Sequence, residues 1–287
     1  MAAIPYNSSP AFAGEGDHAQ HGGGASGASR SYLCLLLLAL TACDAADPQP
    51  SANSFEPAAF SAKPACESRN FEGTPFTACR FDAARDELRL VLAGRDGAPL
   101  RSLAALEAAL GRDADRVRYA MNAGMYDEAG RPIGLYVEAG EERKSLNTRD
   151  GEGNFHLMPN GVFAVDGKGR PLVTPSRQFA KDIRSPRWAT QSGPMLVIDG
   201  KLHPKFDANG ESQLIRNGVG VCGPGVAWFA LSEEGVSFGR FARFFRDGLG
   251  CPNALYLDGT VSSLWDPGAG RQDAYAELGP MLVVLRR

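Results

Sequence analysis

The residue best suited to chemistry in this chain is Asp258, which directly follows an apolar segment at 254–257. A carboxylate at the end of a buried strand is partly desolvated, which raises its pKa and suits it to act as a base. Gly259 permits a close backbone approach, and the hydroxyls of Ser262 and Ser263 can orient the carboxylate or a ligand. The competing interpretation is a simple turn in which Asp258 accepts bonds from its own backbone.

Arg216 is the candidate residue for binding an anionic group of a ligand. It begins the glycine-rich segment at 216–222, and its guanidinium offers a planar fork of donors that fits a phosphate group. The adjacent Asn217 adds an amide that can donate and accept. An exposed, salt-bridged arginine is the alternative. The glycines do not form a phosphate-binding P-loop, because no Gly-Lys-Ser/Thr sequence follows them.

Two further segments, at 121–126 and 191–197, place amides and hydroxyls where apolar strands are interrupted. The candidate substrate contacts in them are Asn122, Gly124, Tyr126, Gln191, Ser192 and Gly193. Taken alone, the segment at 121–126 is better interpreted as a strand-end turn, and the alternative for 191–197 is a Ser/Gly/Pro turn. Ser192 lacks the Gly-x-Ser-x-Gly pattern of a nucleophilic serine, which disfavours a serine hydrolase.

Short apolar strands and few helices must position these side chains. Strands are predicted at 87–93, 116–121, 133–138, 162–165, 171–174, 195–198, 218–222, 226–231, 254–257 and 281–285, and helices at 102–110 and 237–246. This pattern predicts an α+β fold, with a mixed β-sheet core, a few flanking helices and a single domain at 66–287.

Composition and charge narrow the class of protein. Of the 287 residues, 44% are hydrophobic and 22% charged, which suffices to bury one full core. The formal net charge of −3 leaves no broad basic surface to neutralise a nucleic-acid backbone. We therefore expect no nucleic-acid partner. We also expect a monomer.

The segment at 30–42 is predicted to be a signal peptide, because its apolar run is too short to cross a bilayer. It ends in a lipobox-like Leu-Thr-Ala before Cys43, which predicts a lipid-modified cysteine and a membrane anchor. Asp44 resembles the signal that retains lipoproteins in the inner membrane, so we expect a location on its periplasmic face. Residues 1–29 lack the basic start of a signal and are expected to be disordered or to precede the true start codon.

The segment at 43–65 is rich in Ala, Pro and Ser and is predicted to be a flexible tether. Four cysteines remain in the exported chain: Cys66, Cys79, Cys222 and Cys251. Four cysteines allow three connectivities, of which we favour Cys66–Cys79 and Cys222–Cys251 because each pair stays within one region. An exported protein meets an oxidising compartment, which supports disulfide formation.

Neither a metal site nor a cofactor is predicted. The chain has no Cys-x-x-Cys pair and few histidines, which disfavours a transition-metal site. The oxygen-rich loop at 207–211 could hold a structural calcium or magnesium ion, although such loops are more often solvated turns.

Taken in order, these segments resemble the phosphodiester glycosidase family over residues 116–285. The motifs that carry the resemblance are the cluster at 122–126, Asn-Gly-Val-Phe at 160–163, Gln-Ser-Gly-Pro at 191–194 with Asp-Gly at 199–200, Arg216, and the run at 251–263. The resemblance implies a hydrolase that cleaves a sugar-1-phosphodiester of the cell envelope or an exopolysaccharide. Thr260 stands where the family has a second glycine, so the identity of the substrate does not transfer.

A mechanism follows from the leaving group. A phosphomonoester leaves more easily than a sugar alkoxide, since its last ionisation has a pKa of about 6. Arg216, Asn122 and the pair Gln191 and Ser192 are then expected to hold the phosphate charge, while Asp258 acts as base or stabilises the transition state. Two other carboxylates, Asp199 and Glu277, could assist.

Two other functions are compatible with the same motifs. A non-catalytic lipoprotein could bind envelope glycans or phosphodiesters in the same pocket without turnover. A structural lipoprotein without a ligand would place Asn122, Arg216 and Asp258 far apart, whereas both ligand-binding functions require them to converge.

Overall fold

The computed structural model describes residues 63–182 and 185–287. The predicted start at 1–29, the signal peptide, Cys43 and the tether as far as residue 62 lie outside the described residues. The described elements belong to one compact unit, Ser61–Arg287. None of its described helices has the length and apolar character needed to cross a membrane.

Strands dominate the described chain. In chain order they are β1 (Cys66–Phe71), β2 (Thr74–Asp82), β3 (Asp86–Val91), β4 (Val117–Asn122), β5 (Tyr136–Glu138), β6 (Glu141–Lys144), β7 (Gly161–Val165), β8 (Pro171–Pro175), β9 (Trp188–Ser192), β10 (Met195–Ile198), β11 (Lys201–Leu202), β12 (Asn217–Gly223), β13 (Val226–Ser232), β14 (Asn253–Tyr256), β15 (Leu264–Asp266), β16 (Arg271–Gln272) and β17 (Met281–Arg286). The helices are α1 (Leu103–Leu110), α2 (Ser176–Asp182) and α3 (Phe238–Arg243).

These strands form three sheets. The first has the order β1-β2-β13-β12-β14-β10-β11, the second β16-β15-β4-β17-β3 and the third β6-β5-β9-β7-β8. The strand pairs in all three are antiparallel. The predicted α+β class, a sheet core with a few flanking helices, is confirmed.

The three sheets enclose one shared apolar core, and alternation along the strands builds it. In β17, Leu282 and Val284 face the shared core, whereas Val283 and Leu285 face the layer that contains α1. In β7, Phe163 joins the shared core while its neighbours pack toward α2. Successive side chains of a strand point to opposite faces, so strands buried on both faces are continuously apolar.

One helix covers the outer face of each sheet. Leu103 and Leu106 of α1 pack on the second sheet, Phe179 of α2 on the third, and Phe241 of α3 on the first. Burial of such a side chain stabilises the fold by roughly 1.5–3 kcal/mol.

The predicted helix boundaries are close to those observed. The hydroxyl of Ser102 accepts from Ala105 N and that of Ser237 from Arg240 N, as expected of N-caps. The helix predicted to end at residue 246 instead ends at Arg243 and continues as a π-helical turn, Phe244–Gly248.

Several elements carry little sequence signal. The sequence pattern predicted none of the elements β1, β2, β6, β9, β11, β15, β16 and α2. The strand β2 contains proline, threonine and arginine, yet it pairs with β1 on one side and β13 on the other. Its stability therefore comes from its neighbours, since strand formation depends on cross-strand packing.

Both predicted disulfides are present. Cys66 and Cys79 face each other across β1 and β2, and their sulfur atoms are bonded. The bond between Cys222 and Cys251 joins the end of β12 to the segment that leads into β14. Each therefore ties together strands of the first sheet.

Candidate active site

The three sheets meet at the ends of four strands. β4 ends at Asn122, β9 ends at Ser192, and β14 ends at Tyr256, two residues before Asp258. β12 begins at Asn217, and its next residue pairs with Tyr256. Two strands of the first sheet and one strand of each other sheet thus bring polar residues to the same place.

The side-chain amide of Asn122 joins the segments that meet there. Its Oδ1 accepts from Asn217 Nδ2 and from Ser263 N, both at 2.9 Å. Its Nδ2 donates to the backbone oxygen of Asp258 at 2.7 Å. Asn122 and Asn217 are buried. Asn122 therefore fixes the backbone that carries Asp258.

Ser192 makes the corresponding link from the third sheet. Its hydroxyl is fully buried and donates to Leu257 O at 2.9 Å. The following Gly193 lies so close to Asn160 that an added Cβ would come within 2.6 Å of the Asn160 Cβ. Since no side chain fits, this glycine lets the Gln-Ser-Gly-Pro segment lie against its neighbours.

The carboxylate of Asp258 is partly exposed, and protein surrounds it on most sides. Burial raises its pKa from 3.8 to about 6, while the backbone N–H of Thr260 acts in the opposite direction. A carboxyl group with this pKa exchanges a proton near neutral pH, as a catalytic base or acid must. Both features agree with the desolvated carboxylate expected from the sequence.

Tyr126 lies within electrostatic reach of Asp258. Its pKa is raised to about 12, first by burial and then by the negative charge of Asp258. Its hydroxyl donates to Glu277 O. The guanidinium of Arg101 lies over its ring, 5.5 Å from the centroid. Tyr126 thus connects Asp258 to an ion pair at the rim, formed by Arg101 and Glu277.

A short 3-10 turn, Gly259–Val261, holds the chain after Asp258. Gly259 N donates to the hydroxyl of Tyr256 at 2.9 Å, and the Ser262 hydroxyl donates to Gly259 O at 2.8 Å. The hydroxyl of Ser263 donates to Val261 O. The two serines therefore stabilise the turn that carries Asp258.

Arg216 converges on this region through Tyr256. Its guanidinium carbon lies 3.6 Å from the ring centroid of Phe238 and 5.8 Å from that of Tyr256. Nε donates to Val236 O at 2.7 Å, and Nη2 donates to Ser212 O at 3.0 Å. These bonds hold the buried guanidinium to the protein.

Gln191 and Gly124 lie at the base of the site. The buried side chain of Gln191 accepts from Leu135 N and Asn147 N, both at 2.9 Å, and donates to Asn147 O at 2.6 Å. A Cβ on Gly124 would come within 2.7 Å of Gln191 O. Both residues therefore lie where the end of β4 approaches the end of β9.

The two alternative carboxylates occupy different places. Asp199 follows β10, and its backbone N–H bonds the side chain of Asn253, which begins β14. Asp258 follows the opposite end of β14, so Asp199 lies away from it. Glu277 lies at the rim, beside Tyr126.

Among residues 63–182 and 185–287, no group of three or more His, Cys, Asp or Glu side chains could hold a metal ion. The oxygen-rich loop at 207–211 packs against α3. There Arg243 donates to Ala208 O at 2.6 Å and to Asn209 Oδ1 at 3.3 Å.

Sequence reasoning missed Tyr256 and Arg101. A structural role for Tyr256 could have been predicted in part, because a tyrosine in a buried strand usually needs a hydrogen-bond partner for its hydroxyl. Nothing in the sequence indicated that Arg101 lies near the site. Its placement depends on a left-handed backbone conformation, φ 62°, which is typical of glycine and is not expected at an arginine.

Known proteins resemble this chain in sequence and in fold. A protein of Escherichia coli strain K12, described as uncharacterized protein YigE, is 42% identical over 154 residues, or 53% of this chain. The matched region spans 59% of the length of that relative.

Two solved structures share the fold at low identity. The catalytic domain of zebrafish N-acetylglucosamine-1-phosphodiester alpha-N-acetylglucosaminidase, auto-inhibited by its pro-peptide, has a TM-score of 0.53 and 14% identity, over 77% of this chain and 82% of that one. A hypothetical protein from Synechocystis has a TM-score of 0.51 and 15% identity, over 77% of this chain and 61% of that one.

The sequence profile described as phosphodiester glycosidase matches residues 115–277. This match covers more than half of the chain. It includes every strand end that meets at Asp258, from Asn122 to the turn at Gly259–Val261. The chain belongs to the phosphodiester glycosidase family.

Proposed function

We propose that this protein hydrolyses the glycosidic bond of a sugar-1-phosphodiester in the cell envelope or an exopolysaccharide. The observation that carries the proposal is the position of Asp258, a carboxylate with a pKa of about 6 where three sheets converge. Family membership supplies the class of reaction. The name of the zebrafish relative supports a sugar-1-phosphodiester as the class of substrate.

Asp258 acts as the general base in this proposal. It removes a proton from water as the water oxygen bonds to the anomeric carbon, while the bond from that carbon to the phosphate oxygen breaks. The phosphomonoester leaves with the bonding electrons and needs no separate protein acid, since its last ionisation has a pKa of about 6. The proton on Asp258 then passes to solvent.

Asn122 and Arg216 were expected from the sequence to hold the phosphate charge. In this mechanism they act instead as positioning residues, because their side chains donate to backbone oxygens of the protein. Asn122 holds the Asp258 carbonyl through its 2.7 Å bond. Arg216 lies against Phe238, whose ring meets that of Tyr256 edge-on with centroids 4.9 Å apart. Because Tyr256 accepts from Gly259 N, this packing holds the turn after the carboxylate.

We also propose that the protein is an exported monomer, anchored by a lipid on Cys43 at the periplasmic face of the inner membrane. The two disulfides support an oxidising compartment. Fractionation of cells expressing wild type and Cys43→Ser tests the anchor. Wild type in the inner-membrane fraction and the variant in the soluble periplasmic fraction are expected, and identical fractionation would contradict it.

A substrate panel tests the proposed reaction. The exported protein, purified in detergent, is incubated with glycosyl-1-phosphodiesters of several sugars, and the release of reducing sugar is measured. Aryl glycosides of the same sugars, which lack phosphate, are the matched substrates. Turnover of a phosphodiester by wild type and none by Asp258→Asn is expected.

Two results would go against the proposal. Saturable binding of the phosphodiesters without turnover would indicate the non-catalytic glycan-binding lipoprotein instead. Wild-type turnover that persists in Asp258→Asn would remove the role of this carboxylate.

A further inference from the structure

Arg101 adopts an unusual backbone conformation at the rim of the site. It precedes Ser102, the N-cap of α1, and its φ of 62° lies in the left-handed region that side chains with a Cβ seldom adopt. Its backbone oxygen accepts from Leu278 N at 2.8 Å, which holds this conformation. Such strained positions persist where the surrounding structure enforces them, and they cluster at functional sites.

Protein groups accept hydrogen bonds from only some of the N–H donors of the Arg101 guanidinium. Nη2 bonds Glu277, whose side chain is 76% exposed. Nη1 is buried against Gly130, and within the described ranges it has no hydrogen-bond partner. A guanidinium carries five N–H donors, so this one retains donor capacity. An ion pair with so exposed a carboxylate is weak and readily exchanged.

Arg101 and Arg216 differ in how firmly the protein holds their guanidinium groups. Arg216 is fully buried, and its Nε and Nη2 donate to backbone oxygens inside the protein. Arg101 is paired through Nη2 to an exposed carboxylate. An incoming anion can therefore replace the partner of Arg101 without breaking an internal hydrogen bond.

The position of Arg101 suits the proposed substrate. Its guanidinium lies over the ring of Tyr126, which is within reach of the charge of Asp258. The phosphorus of a sugar-1-phosphodiester lies two bonds from the anomeric carbon. A base that acts at this carbon and a cation that binds the phosphate must therefore lie close to each other. Tyr126 interacts with both Arg101 and Asp258.

We propose that Arg101 binds the phosphate of the substrate, with the phosphate oxygens replacing Glu277 as its partner. This proposal rests on the proposed function. Phosphate matches the guanidinium fork as a carboxylate does, and it offers more acceptor oxygens. The exchange takes place at Nη2, the nitrogen that Glu277 occupies, and leaves the buried Nη1 in place. Glu277 competes with substrate for the same cation.

Binding of inorganic phosphate to the exported protein, measured by titration calorimetry at low ionic strength, tests this role without turnover. Arg101→Gln is expected to weaken phosphate binding roughly tenfold or more, as loss of charge-assisted bonds requires. Glu277→Gln removes the competing carboxylate and is expected to tighten it. Arg101→Lys keeps the charge but loses the fork, and is expected to fall between wild type and Arg101→Gln.

Arg170→Gln is the matched control. Arg170 forms a similar surface pair with Asp166 on the hairpin between β7 and β8, and its loss should leave phosphate binding unchanged. Unchanged binding in Arg101→Gln, or equal losses in Arg101→Gln and Arg170→Gln, would overturn the proposal. No detectable phosphate binding by wild type would overturn it as well, even where the phosphodiester is hydrolysed. Loss of turnover in Asp258→Asn with phosphate binding intact would support both proposals separately.

Discussion

The side-chain amide of Asn122 donates a 2.7 Å hydrogen bond to the backbone oxygen of Asp258, although 136 residues separate them in sequence. This bond ties the end of β4 in the second sheet to the segment that follows β14 in the first. The geometry at Asp258 therefore depends on how two sheets pack against each other. Both a positioning role and a stability role for Asn122 follow.

Replacement of Asn122 by alanine is expected to reduce both turnover and stability. Asn217 Nδ2 and Ser263 N would lose their buried acceptor. Each unsatisfied buried group costs about 1–3 kcal/mol, so the loss in unfolding free energy is expected to be roughly 3 kcal/mol or more. Urea denaturation measures stability, and kcat should fall while KM changes little.

Asn253→Ala is the control for this prediction. Asn253 also uses its side chain to accept from a backbone N–H, that of Asp199, at the end of β14 remote from Asp258. A modest loss of stability with normal kcat is expected. Equal kcat in Asn122→Ala and Asn253→Ala would contradict a positioning role for Asn122.

The pH dependence of turnover should report the ionisation of Asp258. A general base works in its ionised form, and the pKa of Asp258 is about 6. Below that pH, kcat/KM should fall about tenfold for each pH unit. A pH profile of initial rates on a phosphodiester substrate measures this limb. Rates that stay constant between pH 7 and pH 4.5 would exclude Asp258 as the base.

Asp258 should also reduce the stability of the folded protein at neutral pH. Its pKa is higher in the folded protein than the ordinary value of 3.8, so between these two values the folded state binds the proton more tightly than the unfolded chain. The free energy of unfolding therefore falls as the pH rises from about 4 to about 6. The destabilisation is complete above pH 6.

Asp258→Asn should therefore be more stable than wild type at pH 7, by about 2 kcal/mol after allowance for partial exposure. Near pH 3.5 the difference should become small, because Asp258 is then fully protonated in the folded protein and mostly protonated in the unfolded chain. Urea denaturation at the two pH values measures both quantities. A variant less stable than wild type at pH 7 would show that the ionised carboxylate is held by favourable bonds instead.

Gly259→Ala is expected to displace Asp258 without removing any functional group. An added Cβ would collide with the Tyr256 hydroxyl and come within 2.8 Å of Ile215 O. Since backbone on one side cannot give way, the turn after Asp258 must shift, and a fall in kcat of at least about tenfold is expected.

Gly167→Ala is the matched control, because a Cβ there meets nothing within 4 Å and the backbone is not left-handed. Its kcat and thermal midpoint should match those of wild type. Normal kcat in Gly259→Ala would show that the site tolerates movement of this turn.

Local patterns in the sequence were sufficient to predict many of the strands and helices of the fold. Continuous apolar runs identified β17 and β10, and the helices predicted at 102–110 and 237–246 begin at the serines that cap α1 and α3. These signals are local, because strand alternation and capping depend on residues a few positions apart. The disulfide pairing was also local, as both bonds join neighbouring regions of the chain.

The sequence by itself determined which residues were candidates, notably Asp258 as an acid after a buried strand, and the class of fold. Only the tertiary structure decided their contacts: Asn122 bonds the Asp258 backbone, Arg216 bonds internal carbonyls, and Arg101 lies beside Tyr126. The physical reason is that a side chain's partners depend on how separate sheets pack. Residues distant in sequence become neighbours through that packing, which no local spacing records.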